Sequence, residues 1–328
     1  MLIRVKKIIF IILGIFVLTS CSSFKKATNK EALEDSHAEY SKPVSNKIRI
    51  KTTSFSSAIL IDCMKDDNDT YDVEHCKSFS EVQNGDFDIA LVPAILAPSI
   101  YNTSKQSVEI SAITLLNNLY AVSKSEILTP KALIGKVIYM PDLGDSYQNM
   151  IDSKLGILKK LFGVKIERYK DSQELKEILD KDDFAIAIVS EPNLSKVAGH
   201  VDNIYKISDI LSFFPINSNG KLDDFLSEVM LVNKNFLKDN KEAFDKFLDD
   251  YKASQAKIKN DSKISTDVIN KYDINNQDAI NIYKNMDNVY IEGDTMVGMY
   301  NLFLDYLDKA KLDFYQGDRP SDDFYYRK

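Results

Sequence analysis

Gly85-Asp86-Phe87-Asp88-Ile89-Ala90-Leu91-Val92-Pro93 is a turn, an apolar run and a proline in nine residues. A short unbroken apolar run between turn signals reads as a buried strand. Working outward on its N-terminal side, Lys47–Lys51 and Tyr71–Cys76 read as further strands, with a Thr/Ser loop and a helix over Ser57–Met64 between them. On its C-terminal side a helix over Ala94–Tyr101, interrupted early by Pro98, leads to a strand over Val108–Thr114. Strand-like runs that alternate with helical ones predict an α/β fold.

A second α/β unit starts at Lys136-Val137-Ile138-Tyr139-Met140. It continues through a helix reaching Leu161, the strand Val164–Tyr169, the helix Ser172–Leu179, the strand Phe184–Val189 and a helix after Pro192. Two similar segments flank it, Leu119–Ser125 and Val229–Asn235. Their likeness predicts a pair of crossover strands that join two lobes: lobe one from 47–122 and 230–328, lobe two from 123–229. Beyond Asn235 the pattern is nearly all helical, over Phe236–Ile258, Thr266–Lys271, Gln277–Met286 and Thr295–Lys311, with a short strand Val289–Ile291. Phe244, Phe247, Leu248 and Tyr251 stripe one face at helical spacing and read as core.

The chain opens with the basic stretch Met1–Lys7, an apolar run of 11 residues from Ile8 to Leu18, and Leu18-Thr19-Ser20-Cys21. The run is far shorter than the ~20 residues that span a bilayer as a helix. It reads as a signal peptide over 1–20 that ends in a lipobox, with Cys21 acylated (diacylglyceryl, palmitate) as the first mature residue. Acyl chains add roughly 0.8 kcal/mol of membrane affinity per buried methylene, so two or three of them anchor a protein firmly. Ser22–Asn46, rich in Ser, Lys, Glu and Ala, reads as a flexible tether, and such a linker has an r.m.s. span of about 25–30 Å. The expected location is therefore extracytoplasmic, lipid-anchored to the cell membrane. Loss of 1–20 removes Arg4, Lys6 and Lys7 and no acidic residue, which takes the formal charge from −7 to −10 and argues against nucleic acid as a partner.

Taken in order, several stretches resemble the extracellular solute-binding proteins of ABC transporters of the nitrate, sulfonate, taurine and thiamine-precursor type. They are Gly85–Ala90, Leu91-Val92-Pro93 with Tyr101-Asn102 downstream, Ala132–Ile138, Ser190-Glu191-Pro192, Val229–Ser254 and the closing Arg319–Tyr326. The resemblance covers nearly all of 47–328. It implies a two-lobed type II periplasmic-binding-protein fold with an interlobe cleft and a helical C-terminal region. It also implies a small-molecule solute, an ABC permease and its ATPase subunits as partners, no cofactor and no catalysis.

In α/β lobes, ligands sit beyond the carboxyl ends of the strands, against helix N-termini. That singles out Thr53, Ser54, Phe55 and Ser56 after the first strand, Pro93 and Ala94 after the Gly85–Pro93 run, Gly144, Asp145, Ser146 and Tyr147 in lobe two, and Glu191 before Pro192. Each has a structural alternative. Ser56 or Ser57, and Asp145 or Ser146, read equally as helix caps, Glu191 as a hydrogen-bonding group at a helix start, and Phe55 as packing. None of these loops holds Arg or Lys, which favours a neutral polar, heterocyclic or amine-bearing solute over a full anion.

His37, His75 and His200 have no metal-ligand spacing, and no phosphate loop or nucleophile elbow is present. Cys63 and Cys76 leave both a disulfide and two thiols open. Two other readings need the same cleft: a surface receptor for sensing or adhesion without transport, and an enzyme on the same fold, against which the lipobox argues.

Overall fold

The computed structural model describes residues 40, 47–65, 70–127, 129–141, 163–206, 224–258, 262–309 and 315–327. In chain order the main elements are β1 Ile48–Thr52, α1 Phe55–Lys65, β2 Tyr71–His75, β3 Ile89–Pro93, α2 Ala97–Thr103, β4 Val108–Leu116 and β5 Tyr120–Ser123. β6 Val137–Pro141, β7 Lys165–Tyr169, α3 Ser172–Lys181, β8 Ile186–Val189, α4 Asn193–Val197 and β9 Asn203–Lys206 follow. The last group is β10 Leu226–Asn233, α5 Lys234–Lys257, α6 Thr266–Tyr272, α7 Asn276–Asn285, β11 Asp287–Ile291 and α8 Gly293–Lys309.

These strands form two mixed sheets. One has six strands in the order β11-β4-β10-β3-β1-β2, and the other has five in the order β7-β6-β8-β5-β9. β1 runs parallel to β2 and β3, and β6 runs parallel to β7 and β8. The remaining pairings, of β10 with β3 and β4, of β11 with β4, and of β5 with β8 and β9, are antiparallel.

The continuous apolar run of β3 has a direct cause. Ile89 and Leu91 enter the core under α1, α5, α6 and α7, while Ala90 and Val92 enter the opposite core under α2 and α8. A strand covered on both faces has no polar alternation to show. The turn before it is held by Gly85 at φ +74°, where a Cβ would lie 2.7 Å from the Ser104 Cβ. Gly85→Ala is therefore expected to cost about 2 kcal/mol of folding free energy from strain and collision together. A urea-unfolding midpoint equal to wild type would contradict that account.

The expected pairing of Leu119–Ser125 with Val229–Asn235 is not observed. β5 lies in the five-stranded sheet, whereas β10 lies in the six-stranded one between β3 and β4. Asn233 caps α5 by accepting from the Asn235 N–H, so residues 234–235 are helical. The likeness of the two segments has a different origin. In β2-β1-β3-β10-β4 and β7-β6-β8-β5-β9 each occupies the same fourth place, antiparallel to the third strand. The strand that leaves the six-stranded sheet is β4, and its partner on return is β10, joined end to end at Leu116 and Leu226.

The chain changes sheet within 117–119. Asn117 adopts φ 53°, a left-handed conformation that Asn tolerates better than most residues. Its side chain accepts from the Phe225 N–H at 2.9 Å and donates to Asp224 at 2.8 Å and to Asp287 at 3.1 Å. Asn118 donates its N–H to Ser227 at 2.8 Å and accepts from the Glu191 N–H at 3.0 Å. One dipeptide thus fastens β10, β11 and the end of β8 at a single point.

Candidate functional site

The turn from β1 into α1 carries most of the candidate residues on the six-stranded sheet. Thr53 is pinned to β3 by two bonds to the Leu91 carbonyl, from its N–H at 3.1 Å and its hydroxyl at 2.9 Å. Ser54 accepts from the Ser57 N–H at 3.2 Å and so caps α1. The cap is therefore two residues before Ser56 and three before Ser57. Ser56 instead bonds the Asn288 side chain, and Ser57 bonds the Ser54 hydroxyl at 2.9 Å. Phe55 is 2% exposed and meets Tyr272 edge-on at 5.2 Å. Pro93 ends β3 half-buried, and Ala94 is buried, with its carbonyl accepting from the Tyr300 hydroxyl at 2.7 Å.

The group at the centre of this turn is one the sequence reading passed over. Glu228, opposite Pro93 in the strand register, is 1% exposed. Its carboxylate accepts from the Ser54 hydroxyl and, at 2.8 Å, from the Thr114 hydroxyl. Burial pushes its pKa up, against the opposing pull of the Ser54, Thr114 and Ser57 hydroxyls. The local signal was a lone Glu in Leu226-Ser227-Glu228-Val229-Met230-Leu231-Val232, a strand otherwise destined for the core.

A raised native pKa means that the folded state holds the Glu228 proton more tightly than the unfolded chain does. Stability from this group is complete below the unfolded value of about 4.3 and is lost as pH rises toward the native value. Urea unfolding of Glu228→Gln and wild type across this range should show the variant gaining relative stability as pH rises. A difference that stays flat from acid to neutral pH would rule out the account.

On the five-stranded sheet, Glu191 is half-buried and accepts from the Ser195 N–H at 3.1 Å and from the Ser195 hydroxyl at 3.0 Å, holding the first turn of α4. Burial raises its pKa against those two bonds. Tyr120, at the start of β5, has its pKa raised by burial and by the charges of Glu191 and Asp287. Gly144, Asp145, Ser146 and Tyr147 lie outside the described residues, as does Cys21.

Several contacts join the two sheets' units at these ends. Lys196 of α4 donates to the Tyr272 carbonyl at 2.7 Å, at the C-terminus of α6 where carbonyls lack helical partners. Lys206 of β9 pairs with Asp287 of β11 at 3.1 Å. A depression of about 360 Å³ lined by Ile269, Asn270, Asp273, Ile274 and Asn275 lies beside the first of them. Asn118, Lys196 and Lys206 thus tie the two sheets' units together, with Asn118 holding the turn that carries Glu191.

Cys63 and Cys76 are not joined by a disulfide. Burial and the Glu74 charge push the Cys76 thiol up to about 11. Glu74, Cys76 and Glu81 bring ligand-type atoms within 4.8 Å of one another, a grouping that motif spacing did not reveal. Its carboxylates are already engaged, Glu74 with Lys51 at 3.4 Å and Glu81 with the Lys77 and Ser78 N–H groups at 2.8 and 2.7 Å. Among the described residues no helix is long and apolar enough to cross a membrane.

No family model and no curated protein matches the sequence. Solved structures do match. An ABC transporter structure from Parabacteroides distasonis aligns with 87% of this chain and 100% of its own length at 16% identity and TM-score 0.59. The ligand-binding component of an ABC-type import system from Staphylococcus aureus, with zinc bound, aligns over 86% and 97% at 16% identity and TM-score 0.55. The periplasmic aliphatic sulphonate-binding protein of Escherichia coli aligns over 82% and 88% at 11% identity and TM-score 0.51. With its two mixed sheets of matching strand plan, the chain has the two-lobed α/β type II periplasmic-binding fold, the fold of ABC-transporter solute-binding proteins.

Proposed function

We propose that this chain is the substrate-binding lipoprotein of an ABC importer, anchored outside the cytoplasmic membrane through Cys21. It captures a small polar solute between its lobes and delivers it to a membrane permease driven by separate ATPase subunits. The observation that carries the reading is the pair of sheets with one strand plan, joined through 117–119 and fastened by Asn118 to Glu191 and by Lys196 to Tyr272. Hinge closure of such lobes turns occupancy into a shape that a permease can distinguish. We take the chain to pass between the lobes after β4 and to return before β10, a reading that the sheet membership of β4, β5, β9 and β10 supports. The lipobox and the tether behind it support the anchored, extracytoplasmic location.

The reading carries no catalytic step, so the captured solute leaves chemically unchanged. Native mass spectrometry of the mature chain purified from its own cells tests this. A co-purified small molecule recovered with its mass unaltered after prolonged incubation supports capture and delivery. Recovery of a new product made by the protein would overturn it in favour of an enzyme on the same fold.

A further inference from the structure

We propose that Glu228 is the anchor for a positively charged nitrogen, so that the solute class is a small amine or amidine; this rests on the solute-binding reading above. Glu228 sits at the strand ends facing the candidate loops, under Ser54, a half-exposed residue of the first turn. Among the described residues no Lys or Arg pairs with it. A buried carboxylate without a counter-charge is costly, and two neutral hydroxyl donors offset only part of that cost.

A second observation points to a missing partner. The hydroxyls of Tyr272 and Tyr283 are buried without any hydrogen-bond partner, and Tyr283 is only 3% exposed overall. Tyr272 packs edge-on against Phe55, the neighbour of Ser54, and the Tyr283 carbonyl accepts at 2.7 Å from Asn288, the side-chain partner of Ser56. A buried unpaired hydroxyl costs about 1–3 kcal/mol, and each of these two leaves an acceptor oxygen as well as an O–H unmet. An ammonium or amidinium group supplies several N–H donors and the compensating charge, and neither an anion nor an aliphatic ether does.

The position also explains how occupancy reaches the lobes. Tyr272 packs against Phe55 at the head of α1, and its carbonyl receives the Lys196 bond from the other lobe. A cation that orders the Tyr272 side chain therefore acts on a residue that already bridges the two lobes.

The test uses the mature chain and bare cationic head groups. Thermal melts are recorded with methylammonium chloride, with sodium chloride at the same ionic strength, and with methanol as the uncharged isostere. The expected result is a saturable rise in Tm with methylammonium alone, with affinity at least about tenfold weaker in Glu228→Gln, the scale of one charge-assisted hydrogen bond. Tyr272→Phe, which removes the unpaired hydroxyl without changing ring packing, should fold as wild type and weaken binding severalfold. Equal shifts with methanol or sodium chloride, no shift with methylammonium, or a shift unchanged in both variants would overturn the proposal. The importer reading is separable: if the co-purified solute still binds Glu228→Gln as tightly as wild type, the amine anchor falls and the importer reading stands. If wild type binds no solute at all, the importer reading falls with it.

Discussion

Replacing Phe324 by Ala will lower the unfolding free energy by about 3–5 kcal/mol, the range for emptying a buried aromatic site. Phe324 is 0% exposed and packs against Tyr101 at 4.8 Å, Tyr325 at 5.6 Å and Tyr300 at 5.8 Å. Aromatic pairs at such separations add about 0.5–1.5 kcal/mol beyond burial. The ring is also the wedge of a C-terminal clamp. Tyr325 bridges to Ile110 of β4, and the Tyr326 N–H donates to the Ile110 carbonyl at 2.9 Å. Asp323 accepts from Lys234 at 2.8 Å and from the Tyr101 hydroxyl at 2.7 Å, and Asn102 donates to the carbonyls of Tyr315 and Asp318, each at 2.8 Å. Chemical denaturation followed by far-UV dichroism measures the loss. A change below about 1 kcal/mol would mean that this segment is a removable tail rather than part of the core.

Asp88→Ala should cost a comparable 3–5 kcal/mol, for an electrostatic reason. The Asp88 side chain is 0% exposed and accepts from the Arg49 N–H at 2.8 Å, from the Arg49 guanidinium at 3.0 and 3.3 Å, and from the Tyr40 hydroxyl at 2.9 Å. Removing it leaves a largely buried guanidinium with Asp86 at 2.8 Å as its remaining carboxylate in this group. It also strands a main-chain N–H on the interior strand β1. Burial and the Asp88 bond push the Tyr40 hydroxyl up to about 12, so Tyr40 remains a neutral donor throughout the accessible pH range. Asp88→Asn, which retains shape and one acceptor oxygen, should cost clearly less. Equal losses in the two variants would assign the effect to packing instead of charge.

Both residues come from stretches whose sequence is informative, and the contrast with the rest is physical. The run Ile89–Val92 is legible because burial on both faces imposes a composition that few other environments demand. The helical stripe of Phe244, Phe247, Leu248 and Tyr251 is legible because its period is local, and all four are buried. Strand partners are not local. Nothing within Leu119–Ser125 or Val229–Asn235 says which sheet either joins, and their likeness records equivalent places in two sheets rather than contact with each other. The four-residue strand β9 has only half-buried and exposed positions and leaves no apolar signature. Glu228 was hidden for the same reason. Its meaning depends on hydroxyls from Ser54 and Thr114, separated from it by 174 and 114 positions, that converge only after folding. Asn117 shows the limit from the other side: an Asn in a polar loop gives no hint that its φ of 53° and four hydrogen bonds make it the junction of the sheets.

The claim on which everything rests is that a small solute closes two lobes about the 117–119 junction. Small-angle scattering of the mature chain, stripped of solute and then saturated with the molecule that co-purifies with it, measures this directly. The account predicts a smaller radius of gyration in the saturated state, accompanied by about 2.7 kcal/mol of added stability at one hundred times the dissociation constant. Identical scattering curves with and without a solute that demonstrably binds would contradict it.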